Sequence, residues 1–436
     1  MNETVSLIGR DYFTDHTLLP DPHLFYEELR ACGPVTVMGD PPIAYVTGFD
    51  EAAEVLNDAS RFSSLPSATG PKTLLPFEPR GDDITEQIAA SRDPNSAFSL
   101  LVTYDGKQHL DNRAIISRLF TPLRLKASDV FMRRYAVAAV REVVAEGGCE
   151  LYHQVALPYV TYVIADLLGV PQEDRIKIKD FLSEVPPAGS LENPLGDKPP
   201  AALQFMFDFF WAYLCERREN PRNDVLSEMA LARYPDGGEP SILELVKLAM
   251  FLFSSGQDTS ALLLGNCLRH LCEDGELQSA LRADNTLIPN FIEEMMRLVG
   301  SLKMTSRLTT KTTEVGGVTL RAGTQVAVIL AAANRDDRQW AQPNAVDLNR
   351  PKLKQQLGFS RGPHTCIGAP LARAEVRFML EEFLNQTSSI ALDEEQHGRP
   401  PDQRFQYTPS FMNHGVKKLH LRLTAAPPGE TRRVAR

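Results

Sequence analysis

The 436-residue chain is 43% hydrophobic and 23% charged, an ordinary globular balance; its length alone suggests two or three domains, although large single domains keep that open. A formal net charge of -10, with no basic run interleaved with aromatics, argues against a nucleic-acid-binding role. The opening stretch Met1 to Leu7 lacks a signal-peptide core and no apolar run is long enough to span a bilayer, so a soluble cytoplasmic protein without a membrane partner is expected.

In chain order, Asp21-Pro22-His23 opens an amphipathic helix through Leu24, Phe25, Leu29 and Ala31 that ends near Gly33-Pro34. Val35 to Val37 and Ala44 to Thr47 read as a small hairpin at the edge of the fold, followed by a helix from Asp50 to Leu56. Residues 63–100 are rich in Pro, Gly, Ser and Asp and read as a long loop, which in a compact domain is functional or disordered. Tyr104 to Arg113 enters a helix on which His109 and Arg113, four apart, share one face. By themselves these are two surface side chains or a donor pair.

From 127 to 235 the pattern is mostly helical, broken near Gly147-Gly148, Pro158, Pro171 and the loop Pro186 to Pro200. Phe205, Phe207, Phe209, Phe210 and Trp211 then cluster as core-packing side chains. Residues 241–265 are apolar on nearly every side, a buried helix about 37 Å long, with Glu244 and Lys247 making it a poor membrane span. Its middle, Ser254-Ser255-Gly256-Gln257-Asp258-Thr259-Ser260, is polar, which costs stability unless those groups are paired. Asp258 could salt-bridge an arginine and Thr259 could bond back to the preceding turn; alternatively the patch is functional.

Glu294 and Arg297 stand on one face of a helix, a weak signal taken alone. Strand alternation then places Lys303, Thr305 and Arg307 on one side. Val315 to Leu320 and Gln325 to Leu330 read as two strands with Gly-Gly and Ala322-Gly323 turns, Lys417 to Leu423 as a final strand, and 425–436 as a frayed tail.

The remaining stretch is Phe359-Ser360-Arg361-Gly362-Pro363-His364-Thr365-Cys366-Ile367-Gly368, followed by a helix-patterned run. Cys366 therefore belongs at a helix N-terminus, where unpaired N–H groups and the dipole favour a thiolate and a lowered pKa. Gly362 and Gly368 let the backbone turn and a flat ligand approach. A lone cysteine is more often a small buried hydrophobe. The other five cysteines, Cys32, Cys149, Cys215, Cys267 and Cys272, form no C-x-x-C pair, which argues against a disulfide framework or structural zinc.

This stretch resembles the haem-ligand loop of the cytochrome P450 family, with Phe359, Gly362, His364, Cys366 and Gly368 matching and Ser360 in place of the usual Gly, a departure expected to loosen nothing essential. The resemblance runs through the whole chain in family order. It implies that His109, Arg113 and Arg307 hold the propionates of haem b (iron protoporphyrin IX) and that Cys366 is the metal ligand. It makes Gly256, Asp258 and Thr259 the oxygen-activation motif, with Ser255 replacing the usual Ala. Glu294 and Arg297 become the pair that brace the cysteine loop, with Ala345 near the place of a further arginine and Arg350 a possible substitute. Residues 63–100 would be the mobile loop over the substrate.

The implied fold is mainly α with a minor β-rich region, a single cytochrome P450 haem domain over 1–424. The implied activity is haem-thiolate monooxygenation of a small, largely apolar organic molecule (a terpenoid, steroid or other secondary metabolite) with O2. No Gly-rich flavin or NAD fingerprint occurs, so electrons would come from a separate ferredoxin-like or flavodoxin-like donor and its reductase, steered to Arg113, Arg118, Lys354 and Arg361. A peroxide-driven peroxygenase and a non-catalytic haem sensor are the alternatives. Lys303 falls at a family position over the haem: it either snorkels or helps a propionate, or it pairs with a polar terminus of an amphipathic substrate.

Overall fold

Strand alternation marks the two ends of the chain and a 3.6-residue period its middle, and the elements segregate accordingly. A computed structural model describes residues 6–93, 96, 99–175, 189–191 and 201–427. The Pro186 to Pro200 loop lies largely outside the described residues, and the C-terminal tail lies outside them from 428 on.

Helix α1 (His23–Cys32) buries Phe25, Tyr26 and Leu29. Strands β1 (Val35–Met38) and β2 (Ile43–Val46) form the expected antiparallel hairpin, with β1 at the edge of a five-stranded sheet. Helix α2 (Phe49–Asn57) follows, then β3 (Phe62–Ser63); β4 (Thr305–Thr309) and β5 (Gln325–Val328) complete the order β1-β2-β5-β4-β3. The β2–β5 pairing is parallel, Ile43 opposite Gln325 and Val46 opposite Val328.

The helical part contains α3 (Gly106–Ser117), α4 (Pro122–Glu146), α5 (Leu157–Leu168), α6 (Ala201–Glu219), α7 (Ile242–Glu273), α8 (Ile288–Leu298) and α9 (Ala369–Gln386). Helix α7 is the axle of this part and packs against α5, α6, α8 and α9. A reciprocal capping box between Ser241 and Glu244 starts it. It outlasts the expected end at 265 because Cys267, Leu268 and Leu271 continue the buried stripe; at 32 residues it is about 48 Å long. Phe210 of α6 packs against Phe253 of α7 with ring centroids 6.1 Å apart.

Five local expectations need correction. The 63–100 stretch is not all loop: it contains a helix at Thr85–Ser91, before which the Asp83 carboxylate accepts from Thr85 N–H at 3.0 Å, and Ile84 and Ile88 bury themselves against Leu308. Pro158 breaks nothing, since it sits in the first turn of α5, where a missing N–H is harmless; the chain enters α5 through a π-helical turn, Leu151–Ala156. Val315 to Leu320 is not one strand but the hairpin Thr313–Val315 and Val318–Leu320, and β5 stops at Val328 before a short helix, Leu330–Ala333. The last strand is two, Val416–Lys418 and His420–Ala425. Among the described residues, no helix is long and apolar enough to cross a membrane.

Candidate functional site

Cys366 sits between a 3-10 turn, Gly362–His364, and the start of α9 at Ala369. The loop is closed by its own backbone: Cys366 N–H donates to Phe359 O at 2.8 Å and Thr365 N–H to Gly362 O at 3.0 Å. Gly362 has φ 72, and an added Cβ would lie 2.4 Å from Leu56 O and 2.8 Å from Asn57 Cα, so both its conformation and its space demand glycine. Gly368 differs from expectation. Its φ of -79 is ordinary, and an added Cβ would meet only Cys366 Sγ, at 3.9 Å, so it spares room beside the sulfur rather than making a turn.

Ser360 also departs from expectation. It adopts φ 60, the left-handed region that costs a non-glycine residue about 1–2 kcal/mol, and among the described residues its buried hydroxyl has no hydrogen-bond partner. The serine therefore strains the loop. Ser360→Gly is expected to raise stability by about 1 kcal/mol, read as a higher Tm of the haem-loaded protein; a lower Tm would contradict the strain.

Cys366 presents accessible surface yet lies deep in the fold, as a side chain in the wall of a cleft does. The expected low thiol pKa is corrected here. Burial pushes the thiol up, against the N–H groups of Gly368 and Ala369 and the charges of Arg113 and Arg373, which pull it down. A metal ion coordinated there would deprotonate the thiol outright, and the same N–H groups and guanidiniums would then face the thiolate.

Around this loop four basic side chains converge. His109 and His364 lie with ring centroids 4.0 Å apart, and the Nε2 of each is buried without a hydrogen-bond partner among the described residues. Burial first, then Arg113 and Arg307, lowers His109 to about 4; burial, Arg307, His109 and Arg113 lower His364 to about 2. Both imidazoles are neutral at pH 7. Arg113 turns inward and donates to Thr365 O at 2.7 Å, which removes it from the surface cations expected to meet a redox partner. Arg307 is 2% exposed and donates to Ser67 Oγ at 3.0 Å and to Ser306 O at 2.7 Å. Among the described residues, neither guanidinium has a carboxylate within ion-pair distance. Asp105 is occupied by Arg92, Ser63 and Ser64.

On α7, Ser254 and Ser255 are exposed and Gly256, Asp258 and Thr259 half-buried, in a helix otherwise packed on most sides. Thr259 Oγ1 donates to Ser255 O at 3.0 Å, the back-bond considered from sequence. A Cβ at Gly256 would meet only Ile164 of α5, at 3.9 Å. Among the described residues Asp258 pairs with no arginine; Tyr152 Oη donates to its Oδ1 at 2.6 Å. Burial raises the Asp258 pKa despite that bond and the charge of Lys417. Sequence reading missed Tyr152, because nothing in Leu151-Tyr152-His153 announces a partner more than a hundred residues away. It also missed Glu375 of α9, bonded to Ser260 and pushed by burial to about 8. An acid in the apolar stripe of α9 was the available signal.

Glu294 and Arg297 form a bidentate pair, 2.9 Å on each arm, with both side chains fully buried. Arg350 Nε completes it at 2.8 Å. Ala345 contributes its carbonyl, which accepts from Arg297 at 3.0 Å and Arg350 at 2.8 Å. Beside this triad Glu293 binds Arg373, whose guanidinium lies 4.4 Å over the Phe359 ring, so the bracing reaches the cysteine loop through α9.

Lys303 does not snorkel: it is 2% exposed, and its Nζ donates to Ser410 O at 2.7 Å. The side chains that feel its charge are His23 and His414, outside the His109, His364, Arg113 and Arg307 group. Burial lowers its pKa to about 7. The unfolded lysine keeps its proton up to about pH 10, so between pH 7 and 10 the unfolded chain binds more protons and stability rises with pH. Lys303→Met is expected to raise the Tm at pH 6 and to gain less at pH 9; a uniform gain would contradict the burial penalty.

Two orphaned Nε2 atoms, two unpaired guanidiniums and a thiol in one region fit a flat group with two carboxylates and a metal that takes sulfur, and haem b meets each requirement. His109, His364, Arg113 and Arg307 could hold the carboxylates and Cys366 the iron. Residues 185–414 match the family model described as Cytochrome P450. Cytochrome P450 109 of Bacillus spizizenii is 31% identical over 332 residues, 74% of this chain and 79% of that protein. The 6-deoxyerythronolide B hydroxylase of Saccharopolyspora erythraea is 28% identical over 375 residues, 84% of this chain and 89% of that protein. The structure of substrate-free CYP150A6 of Mycobacterium marinum is 41% identical, with a TM-score of 0.88 over 96% of this chain and 99% of that one. The fold, the cysteine loop and these likenesses agree: the chain belongs to the bacterial cytochromes P450, haem-binding monooxygenases.

Proposed function

We propose that this P450 hydroxylates a small, largely apolar organic substrate, with Cys366 as the iron ligand, Asp258 and Thr259 moving protons, and electrons arriving from a ferredoxin-like or flavodoxin-like donor. The observation that carries the reading is the accessible polar face in the middle of a largely buried helix, formed by Ser254, Ser255, Gly256, Asp258 and Thr259. The haem supplies the activation of O2 when bound. Insertion of one oxygen atom leaves the other as water, so two protons must enter the site in each turnover.

Asp258 suits that task because it is a carboxyl whose pKa burial raises, which favours its holding a proton it can pass on. Thr259 commits its hydroxyl hydrogen to Ser255 O, which fixes Oγ1 and leaves its lone pairs to accept from a water. Arg118 and Lys354 are exposed and Arg361 is half-buried, and these three remain for an acidic electron donor.

Thr259→Ala is expected to bind substrate and consume O2 but to release peroxide, with product formation lowered by roughly 10²–10⁴-fold. Peroxide yield and NAD(P)H-to-product coupling with surrogate redox partners are the measurements. Unchanged coupling would overturn the proton role of Thr259.

A further inference from the structure

Asp258 is held from one side only. Its Oδ1 accepts from Tyr152 Oη at 2.6 Å, whereas among the described residues no side chain bonds its Oδ2. The titratable and charged groups that face it are Tyr152, from the π-helical turn Leu151–Ala156, and Lys417, from the strand Val416–Lys418. Isolated π turns of this kind are frequent at functional sites. This one is built rather than incidental: the Glu150 carboxylate accepts from Tyr152 N–H at 3.0 Å, His153 N–H at 2.7 Å and Leu419 N–H at 3.1 Å. One acid thus ties the turn that carries Tyr152 to the chain just beyond Lys417.

We infer that Tyr152 is a positioning residue for Asp258, clamping Oδ1 so that Oδ2 alone takes up a proton from the Lys417 side and gives it up to a water held on Thr259 Oγ1. This rests on the proton role of Asp258 proposed above. The phenol itself stays protonated, because burial and the neighbouring carboxylate push its pKa far above the ordinary value. It therefore supports each ionised state of Asp258 without being consumed: the proton that arrives on Oδ2 is the one that leaves, and Tyr152 keeps its own. The clamp also favours the ionised carboxylate, which burial alone would suppress.

The test is an infrared titration of the haem-loaded protein. The carbonyl stretch of protonated Asp258, assigned by its loss in Asp258→Asn, is followed against pH in wild type and in Tyr152→Phe. Loss of the hydroxyl is expected to raise the midpoint by about one pH unit, since a hydrogen bond to a charged group is worth that much. The pH profile of coupling should move with it. A chain carrying 3,5-difluorotyrosine at 152, a stronger donor of the same shape, should shift the midpoint the other way, and it carries the test if Tyr152→Phe fails to fold. Midpoints unmoved in the folded variants overturn the inference while leaving the relay intact. Unchanged coupling in Asp258→Asn overturns the relay and the inference together.

Discussion

Cys366→Ser should remove the red-shifted ferrous–CO band that marks a thiolate-ligated haem, and with it the monooxygenase activity. Serine keeps the size of the side chain and the backbone bonds that shape the loop, Cys366 N–H to Phe359 O and Thr365 N–H to Gly362 O. Only the sulfur changes. An alcohol is a far weaker acid than a thiol, so the balance described for the thiol, burial against two N–H groups and two guanidiniums, cannot be won by an alkoxide. The axial ligand sets how strongly electron density is pushed towards O–O cleavage, so loss of the band and loss of product should be complete rather than graded. A serine variant that kept the band would show that some other group binds the iron.

Glu294→Ala should cost about 3–5 kcal/mol, a large part of the 5–15 kcal/mol that holds a domain folded. The reason is asymmetry. Glu294 accepts from Arg297, Arg350 and the Asp347 N–H, and its removal leaves two guanidiniums, 0% and 3% exposed, without a counter-charge. The control is Glu293→Ala, whose charged partner Arg373 is 37% exposed and whose other side-chain donor is the neutral amide of Gln356 at 3.1 Å. Solvent can take over at Arg373 and no buried charge is left unpaired, so a loss of about 1–2 kcal/mol is expected. Urea denaturation of the two variants separates the cases; equal losses would show that burial of the Glu294 cluster is not what gives it weight.

What was legible in the sequence was whatever a local pattern carries. The cysteine loop, α1 and the β1–β2 hairpin announce themselves within a few residues, by spacing or by turn chemistry, and the Glu294–Arg297 pair gained its meaning only from its place in the family order. The misreadings share the opposite property. Ser360 looks harmless as a letter, and its cost appears only when the backbone there is seen to be left-handed. Cys366 at a helix start promises a low pKa, but desolvation comes from the whole fold and cannot be read from neighbours in sequence. Lys303 follows the alternation of a strand that begins only at Thr305, so the side assigned to it had no ladder to enforce it. Tyr152 is a partner supplied by a segment far away along the chain, which no spacing rule connects to Asp258.

The fit of Gly362 against the end of α2 has a mechanical meaning. With no room for even one added carbon before Leu56 O, and with Arg361 lying 5.5 Å over the Phe49 ring at the other end of the same helix, the sulfur-bearing loop is keyed into α2 along its length. The position of the sulfur is thereby referenced to the β-rich corner of the molecule as well as to α9. A one-residue deletion in α2, nowhere near the chemistry in sequence, would rotate the tooth out of its notch and misplace the thiol. Grafting the cysteine loop onto a relative would require α2 to travel with it.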